Sequence, residues 1–109
     1  MDKTIFLKEI KTISNQVWGA EPKSLNDTIR QMRVASDDIE IFMEKYASKY
    51  VIDMQAYDYS DYFYDDNFFI INTFREVGFL LNIIKRKQDL TFEHLYTIAE
   101  NRKWVNPFV

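Results

Sequence analysis

The feature that most constrains the fold is the stretch 36–50, whose apolar side chains recur every three or four positions. This spacing places them on one side of an α-helix. The apolar positions are Ile39, Phe42, Met43, Tyr46, Ala47 and Tyr50. Carboxylates occupy other positions of the stretch, namely Asp37, Asp38, Glu40 and Glu44. The pattern predicts an amphipathic helix over Ser36–Lys49 that packs one face on a core and exposes an acidic face.

Ser36 stands at the start of this predicted helix, behind a polar loop. Serine is a common N-cap residue, because its hydroxyl accepts a hydrogen bond from a free N–H of the first helical turn. A serine in this place is also a suitable attachment point for a swinging prosthetic arm. Both interpretations remain open from the residues alone.

Two other segments repeat the helical periodicity. Thr4–Val17 predicts a first helix, which Gly19 and Pro22 end. A last helix follows Thr91, a good N-cap residue, and Pro107 closes it. The inward positions are Phe6, Ile10, Ile13 and Val17 in the first helix and Phe92, Leu95, Ile98 and Ala99 in the last.

The connections between these helices carry weaker signals. The long connection 19–36 holds regularly spaced apolar residues, so we expect it to be held against the core, with a short helical turn at 27–32. Residues 51–54 favour an extended chain. Tyrosines alternate with aspartates over Tyr57–Tyr64, which suits a short third helix.

The most apolar part of the chain lies within residues 67–87. Its pattern favours a helix, with two short strands as the alternative, because short apolar runs do not distinguish the two. Arg75 and Glu76 would have to be buried in hydrocarbon, so we reject a membrane-spanning helix. The basic run Lys85–Lys87 is too small to predict binding to a membrane surface.

Composition places the chain among folded, helix-rich proteins. It has 109 residues, 47% of them apolar, with two glycines and two prolines, which predicts a single domain over 1–109. The absence of cysteine excludes disulfides and thiolate metal sites. The start of the chain alternates charged and apolar residues and does not resemble a secretory signal, so we expect a cytoplasmic protein.

The net charge of −3 conceals an acidic block. Residues 37–66 carry nine acids and two bases, a balance of −7, whereas the segments on either side each carry +2. Such a block attracts a protein partner with a basic surface and repels nucleic acid. The alternative is an ordinary solvated face.

No residue pattern predicts catalysis or a metal site. His94 is the only histidine, and we expect it on a solvated helix face without a nucleophile to activate. The acidic residues near the middle of the chain lack the alternating ligands, central glycine and distal glutamate of a calcium loop. These residues are Asp58, Asp61, Asp65 and Asp66. We therefore predict that the protein is not an enzyme.

The order of these elements resembles that of acyl carrier proteins. Ser36 and its acidic helix are similar to the helix whose serine carries the prosthetic group in that family. Residues 50–54, Tyr-Val-Ile-Asp-Met, resemble the aromatic and aliphatic positions that follow it, and 90–95, Leu-Thr-Phe-Glu-His-Leu, resemble the threonine-capped start of its final helix. The resemblance implies an acyl-carrier-like bundle and 4′-phosphopantetheine as a cofactor on Ser36.

The chain is more similar to an uncharacterised bacterial family of short carrier-like proteins. The similarity lies in Ser36-Asp37-Asp38, in the aromatic and acidic stretch 57–63, and in Arg102-Lys103-Trp104. It covers about residues 25–66 and 89–104, so 67–88 resemble an apolar insertion before the last helix.

The neighbours of the serine depart from the classical pattern. Ala35 and Asp37 stand where a classical carrier has aspartate and leucine. The transferase that installs the prosthetic group packs on that apolar residue, so Asp37 would weaken its docking.

Together these features predict an acyl-carrier-like module without catalytic activity. We expect its acidic second helix to bind a partner through Asp37, Asp38, Glu40 and Glu44. The alternative is an adaptor or regulatory protein without an arm, which binds a partner or forms a homodimer through the apolar segment Phe68–Ile84, with Phe79 at the interface.

Overall fold

The computed structural model describes residues 1–63 and 88–109. These residues form three α-helices and no strand: α1 (Lys3–Trp18), α2 (Ser36–Tyr50) and α3 (Phe92–Asn101). The prediction of an all-α fold is confirmed for this part of the chain, and its acyl-carrier topology stays a prediction. The predictions for 67–87, including the interface around Phe79 and the segment Phe68–Ile84, lie outside the described residues.

The connections contain two short 3-10 helices, Arg30–Met32 and Tyr59–Asp61. The first confirms the predicted turn at 27–32. The second is shorter than the helix predicted for Tyr57–Tyr64, because Asp58 accepts a hydrogen bond from the Ser60 N–H at 3.0 Å and fixes a tight turn.

α1 packs against both other helices, and their apolar faces meet as the periodicity predicts. Phe42 of α2 is fully buried between aromatic rings of the other helices, with ring centres 4.8 Å from Trp18 and 6.3 Å from Phe92. The Tyr46 hydroxyl donates to the Leu95 carbonyl at 2.6 Å, which joins α2 to α3 inside the core. The largest fully buried side chains are Trp104, Tyr46, Tyr62, Phe6, Phe42 and Phe92.

The start of α2 differs from one interpretation of the sequence. Ala35, with φ −69° and ψ 155°, occupies the N-cap position, and no side chain caps the helix there. The Ala35 carbonyl accepts the Ile39 N–H at 3.1 Å, so the helical hydrogen bonds begin one residue before Ser36. The interpretation of Ser36 as the N-cap is therefore wrong, since it is the first helical residue.

The start of α3 is closed by a reciprocal pair of hydrogen bonds. The Thr91 hydroxyl accepts the His94 N–H, and the His94 Nδ1 accepts the Thr91 N–H, both at 3.1 Å. This is a capping box in which histidine replaces the usual glutamate or glutamine. The expectation that His94 is simply solvated is wrong, because the ring is partly buried and lies edge-on to Phe108, 4.9 Å between centres.

The long connection satisfies the other free N–H groups at the same helix end. The Phe92 N–H donates to the Asp27 carbonyl at 3.1 Å, and the Glu93 N–H donates to the Leu25 carbonyl at 2.8 Å. Ile29, within the same connection, is fully buried. The expectation that the connection is held against the core is confirmed, and its backbone provides acceptors that the helix itself lacks.

The chain segments that leave α2 and α3 pair with each other. The Asp53 N–H donates to the Arg102 carbonyl at 3.0 Å, and the Trp104 N–H donates to the Asp53 carbonyl at 2.8 Å. The Trp104 indole is fully buried and donates to the Tyr62 hydroxyl at 3.0 Å. This pairing fixes the segment after α2 against the end of the chain.

Arg30 joins the two described flanks of the segment 64–87. Its guanidinium donates to the Tyr62 carbonyl at 3.0 Å and lies 2.8 Å from the Asp89 carboxylate. Both groups are partly exposed, so the ion pair by itself contributes little to stability. Arg30 thus links two residues that lie on either side of that segment.

We expect the stability of the fold to fall as the pH drops from 8 to about 5.5, because His94 must stay neutral to accept the Thr91 N–H. Burial holds the pKa of His94 below its ordinary 6.5, against the opposing effect of the Glu93 carboxylate. The unfolded chain then binds the proton more tightly than the folded chain. The stabilisation is therefore complete above pH 6.5 and is lost as the pH falls through the folded-state pKa.

Urea unfolding at several pH values measures this loss, with His94→Gln as the matched variant. Glutamine can serve in a capping box without titrating. A pH dependence between 8 and 5.5 that is unchanged in His94→Gln would contradict this assignment.

Candidate protein-binding surface

The acidic face of α2 carries the four carboxylates that the sequence predicts as partner-binding residues. Asp37, Glu40 and Glu44 are exposed, and Asp38 is partly buried. None of these four carboxylates forms a salt bridge with the residues that the structure describes. The predicted partner-binding residues of α2 therefore lie on one helix, and three of the four are exposed.

The electrostatics of the helix favour acidic residues at the start of α2. Asp37 and Asp38 lie in the first turn of α2, where the positive end of the helix dipole favours a negative charge. Lys49 lies in the last turn, where it pairs with Glu9 of α1 at 3.0 Å. The basic end of α2 is thus engaged with α1, while the acidic end faces outward.

An open apolar groove runs beside the acidic face. One wall is formed by α2 and the other by the segment that leads to the second 3-10 helix. Its lining residues are Glu40, Met43, Glu44, Ala47, Met54, Tyr57 and Tyr59. The two glutamates are exposed, so the groove combines an apolar lining with an acidic edge.

Tyr57 lines the groove and has a buried hydroxyl. Its hydroxyl oxygen is buried and forms no hydrogen bond within the described part of the chain. The ring is held by Trp104, 4.7 Å away in an edge-on contact, and by Tyr62, 6.1 Å away in a stacked one. Burial raises the pKa of Tyr57, helped by the nearby Tyr59 and Glu40, so the hydroxyl stays protonated and can donate a hydrogen bond.

Ser36 lies outside this groove, at the first position of α2, where it is partly buried. A phosphodiester on its hydroxyl fits this position, since the start of a helix favours anions. The carboxylates of Asp37 and Asp38 in the same turn oppose that charge. The structure therefore brings Ser36 next to the predicted partner-binding residues but does not place it in the groove.

The other predicted candidates do not assemble into a reactive or metal-binding cluster. Asp58 is engaged with Ser60, and Asp65 and Asp66 lie outside the described residues. Among residues 1–63 and 88–109, no three histidine or acidic side chains are grouped to hold a metal ion. No helix in these ranges is both long enough and apolar enough to cross a membrane.

The sequence reasoning identified the carboxylates but missed the groove. The α2 wall of the groove was predictable, because Glu40 and Glu44 are four residues apart and therefore lie on one side of a helix. The same holds for Met43 and Ala47. Met54 and Tyr57 lie beyond the end of α2, and the Tyr57 ring packs on Trp104, which is distant in sequence.

The fold and surface define a small protein of three described helices with one exposed acidic helix. The chain belongs to a family of proteins of unknown function, DUF1493, whose model matches residues 4–106. No curated protein and no solved structure matches the chain significantly. The expectation of an uncharacterised family is confirmed, whereas the acyl-carrier resemblance is not shown by this match and stays a prediction.

We expect Tyr57→Phe to leave the free energy of unfolding unchanged or to raise it by about 1 kcal/mol, because it removes a buried hydroxyl that lacks a partner. Tyr46→Phe is the matched change, since the Tyr46 hydroxyl is paired with the Leu95 carbonyl. The free energy of unfolding of the Tyr46→Phe variant should fall by about 1 kcal/mol. Denaturant unfolding of both variants measures the difference, and an equal loss in the two would show that Tyr57 is paired.

Proposed function

We propose that this protein is a non-catalytic binding module that presents the acidic face of α2 to a basic surface on a partner protein. The observation that carries the proposal is a set of carboxylates on one helix without salt bridges in the described residues. Among the described acids outside α2, Glu9, Asp89, Glu93 and Glu100 pair with a cation, whereas Glu21 forms no salt bridge there.

The charge balance around this face supports a basic partner. Residues 36–63 carry seven acids and two bases, a balance of −5. α2 contains two cations, Lys45 and Lys49, and Lys49 is paired with Glu9 of α1. A negative surface of this kind accelerates association with a basic partner and makes binding sensitive to salt.

The modification of Ser36 is a subsidiary part of the proposal. Its position at the start of α2 would hold a phosphopantetheine arm beside the acidic face, where a bound partner could reach the thiol. In that reaction the Ser36 hydroxyl oxygen attacks the pyrophosphate of coenzyme A, a new phosphodiester forms, and adenosine 3′,5′-bisphosphate leaves. The position of Ser36 supports the site of attachment.

We expect Glu40→Lys combined with Glu44→Lys to weaken binding of a captured partner by about tenfold or more at low salt, since each charge is worth ~1 kcal/mol at contact in water. Both positions lie inside α2, so the helix ends stay unchanged. The partner is captured from lysate, identified by mass spectrometry, purified, and measured against each variant over a range of salt concentrations.

A control with the same change in charge is Glu21→Lys combined with Glu100→Lys, because both residues are exposed and lie outside α2. This control should keep most of the affinity. Equal losses in the two double variants would indicate a nonspecific charge effect and would contradict the proposal.

For Ser36, we expect a gain of one phosphopantetheine mass after incubation with coenzyme A and a broad-specificity phosphopantetheinyl transferase. Intact-mass measurement detects it, with Ser36→Ala as the control that cannot be modified. No gain beside a carrier protein that is modified in parallel would remove the arm from the proposal. The acidic binding face would not depend on that result.

A further inference from the structure

We propose that the groove between α2 and the segment 54–59 binds one face of a basic amphipathic helix from the partner protein. The inference rests on the proposed function, because it specifies the chemistry of a partner for the same surface. It adds an apolar contact to the attraction between charges.

The groove has the dimensions of a short helical contact. Its α2 wall runs from Glu40 to Ala47, a rise of about 10 Å at ~1.5 Å per residue, or two turns of helix. A helix that lies in an apolar groove inserts side chains spaced by one or two turns, so a wall of this length receives two or three of them.

The lining suits apolar side chains of varied shape. Met43 lines the groove from α2 and Met54 from the segment 54–59, and Ala47 is the smallest lining residue. Methionine is flexible and polarizable, so it adapts to different partners, and alanine leaves room for an inserted side chain. Each apolar residue that the partner buries here adds to affinity in proportion to the area removed from water.

The charges on the edge select a basic helix. Glu40 and Glu44 line the groove, are exposed, and form no salt bridge within the described ranges. Lysine or arginine residues that flank the apolar face of a docked helix would meet both carboxylates. A second copy of α2 would instead bring acidic faces together, so charge disfavours self-association through this groove.

Tyr57 gives the groove a wall that is ordered before a partner arrives. Its ring is held by Trp104 and Tyr62 and lines the groove. Its hydroxyl oxygen is buried, so a docked helix contacts the ring and not the oxygen. A surface that is already positioned costs little entropy to engage, which favours binding.

Methionine methyl NMR tests the proposal directly. The chain has four methionines, of which Met43 and Met54 line the groove and Met32 does not. The probe is an acetylated 14-residue helical peptide of leucine and lysine, with the peptide that has glutamate in place of lysine as its control. We expect the lysine peptide to shift the Met43 and Met54 methyl signals and to leave Met32 unchanged.

Two variants separate the apolar contact from the charge. Ala47→Phe fills the groove while keeping both glutamates, and it should weaken peptide binding by about tenfold, equivalent to about 1.4 kcal/mol. Ser48→Phe, at the next and exposed position of α2, should bind like the original protein.

Tyr57→Phe should bind the peptide like the original protein, because it keeps the ring that lines the groove and removes only a buried hydroxyl. A loss of affinity in this variant would contradict this description of the groove.

Other occupants would overturn the inference in recognisable ways. Equal shifts with the glutamate peptide or with decanoate would indicate a site for any apolar chain, and shifts that grow with protein concentration alone would indicate a second copy. No binding of the lysine peptide would also overturn it. If binding is sensitive to salt but Ala47→Phe does not weaken it, the assignment of the groove is wrong and the acidic face stays as proposed.

Discussion

The position of one wall of the groove depends on the burial of Trp104. Its backbone N–H donates to the Asp53 carbonyl and its indole N–H donates to the Tyr62 hydroxyl, so one residue near the end of the chain holds two points of the segment that follows α2. The Tyr57 ring packs on the same indole. Together with the hydrogen bond from the Asp53 N–H to the Arg102 carbonyl, these contacts place the second wall of the groove beside α2.

The helices were predictable because their signal is local. The spacing of apolar residues such as Phe6, Phe42 and Leu95 specifies which side of each helix is buried, and all three are fully buried in the structure. The ends were less predictable. Ser36 has the chemistry of an N-cap, yet the Ala35 carbonyl begins the helical hydrogen bonds, and His94 acts in a capping box that the sequence pattern assigns to glutamate or glutamine.

The candidate site was half predictable for the same reason. Its carboxylates belong to one helix and follow from the position of the apolar face. Its groove requires Met54 and Tyr57, which lie beyond the end of α2, and the Tyr57 ring packs on Trp104, a residue distant in sequence. The Tyr57 hydroxyl is buried without a hydrogen-bond partner among the described residues. This is a property of the packed molecule and cannot be predicted from a residue pattern.

The contacts of Arg30 with Tyr62 and Asp89 have a consequence for local opening of the fold. One side chain contacts two residues that are far apart in the chain, so a motion that displaces Arg30 releases both of them together. Local unfolding proceeds in such cooperative units. These contacts therefore couple the connection 19–36 to Tyr62 and Asp89 in a single opening event.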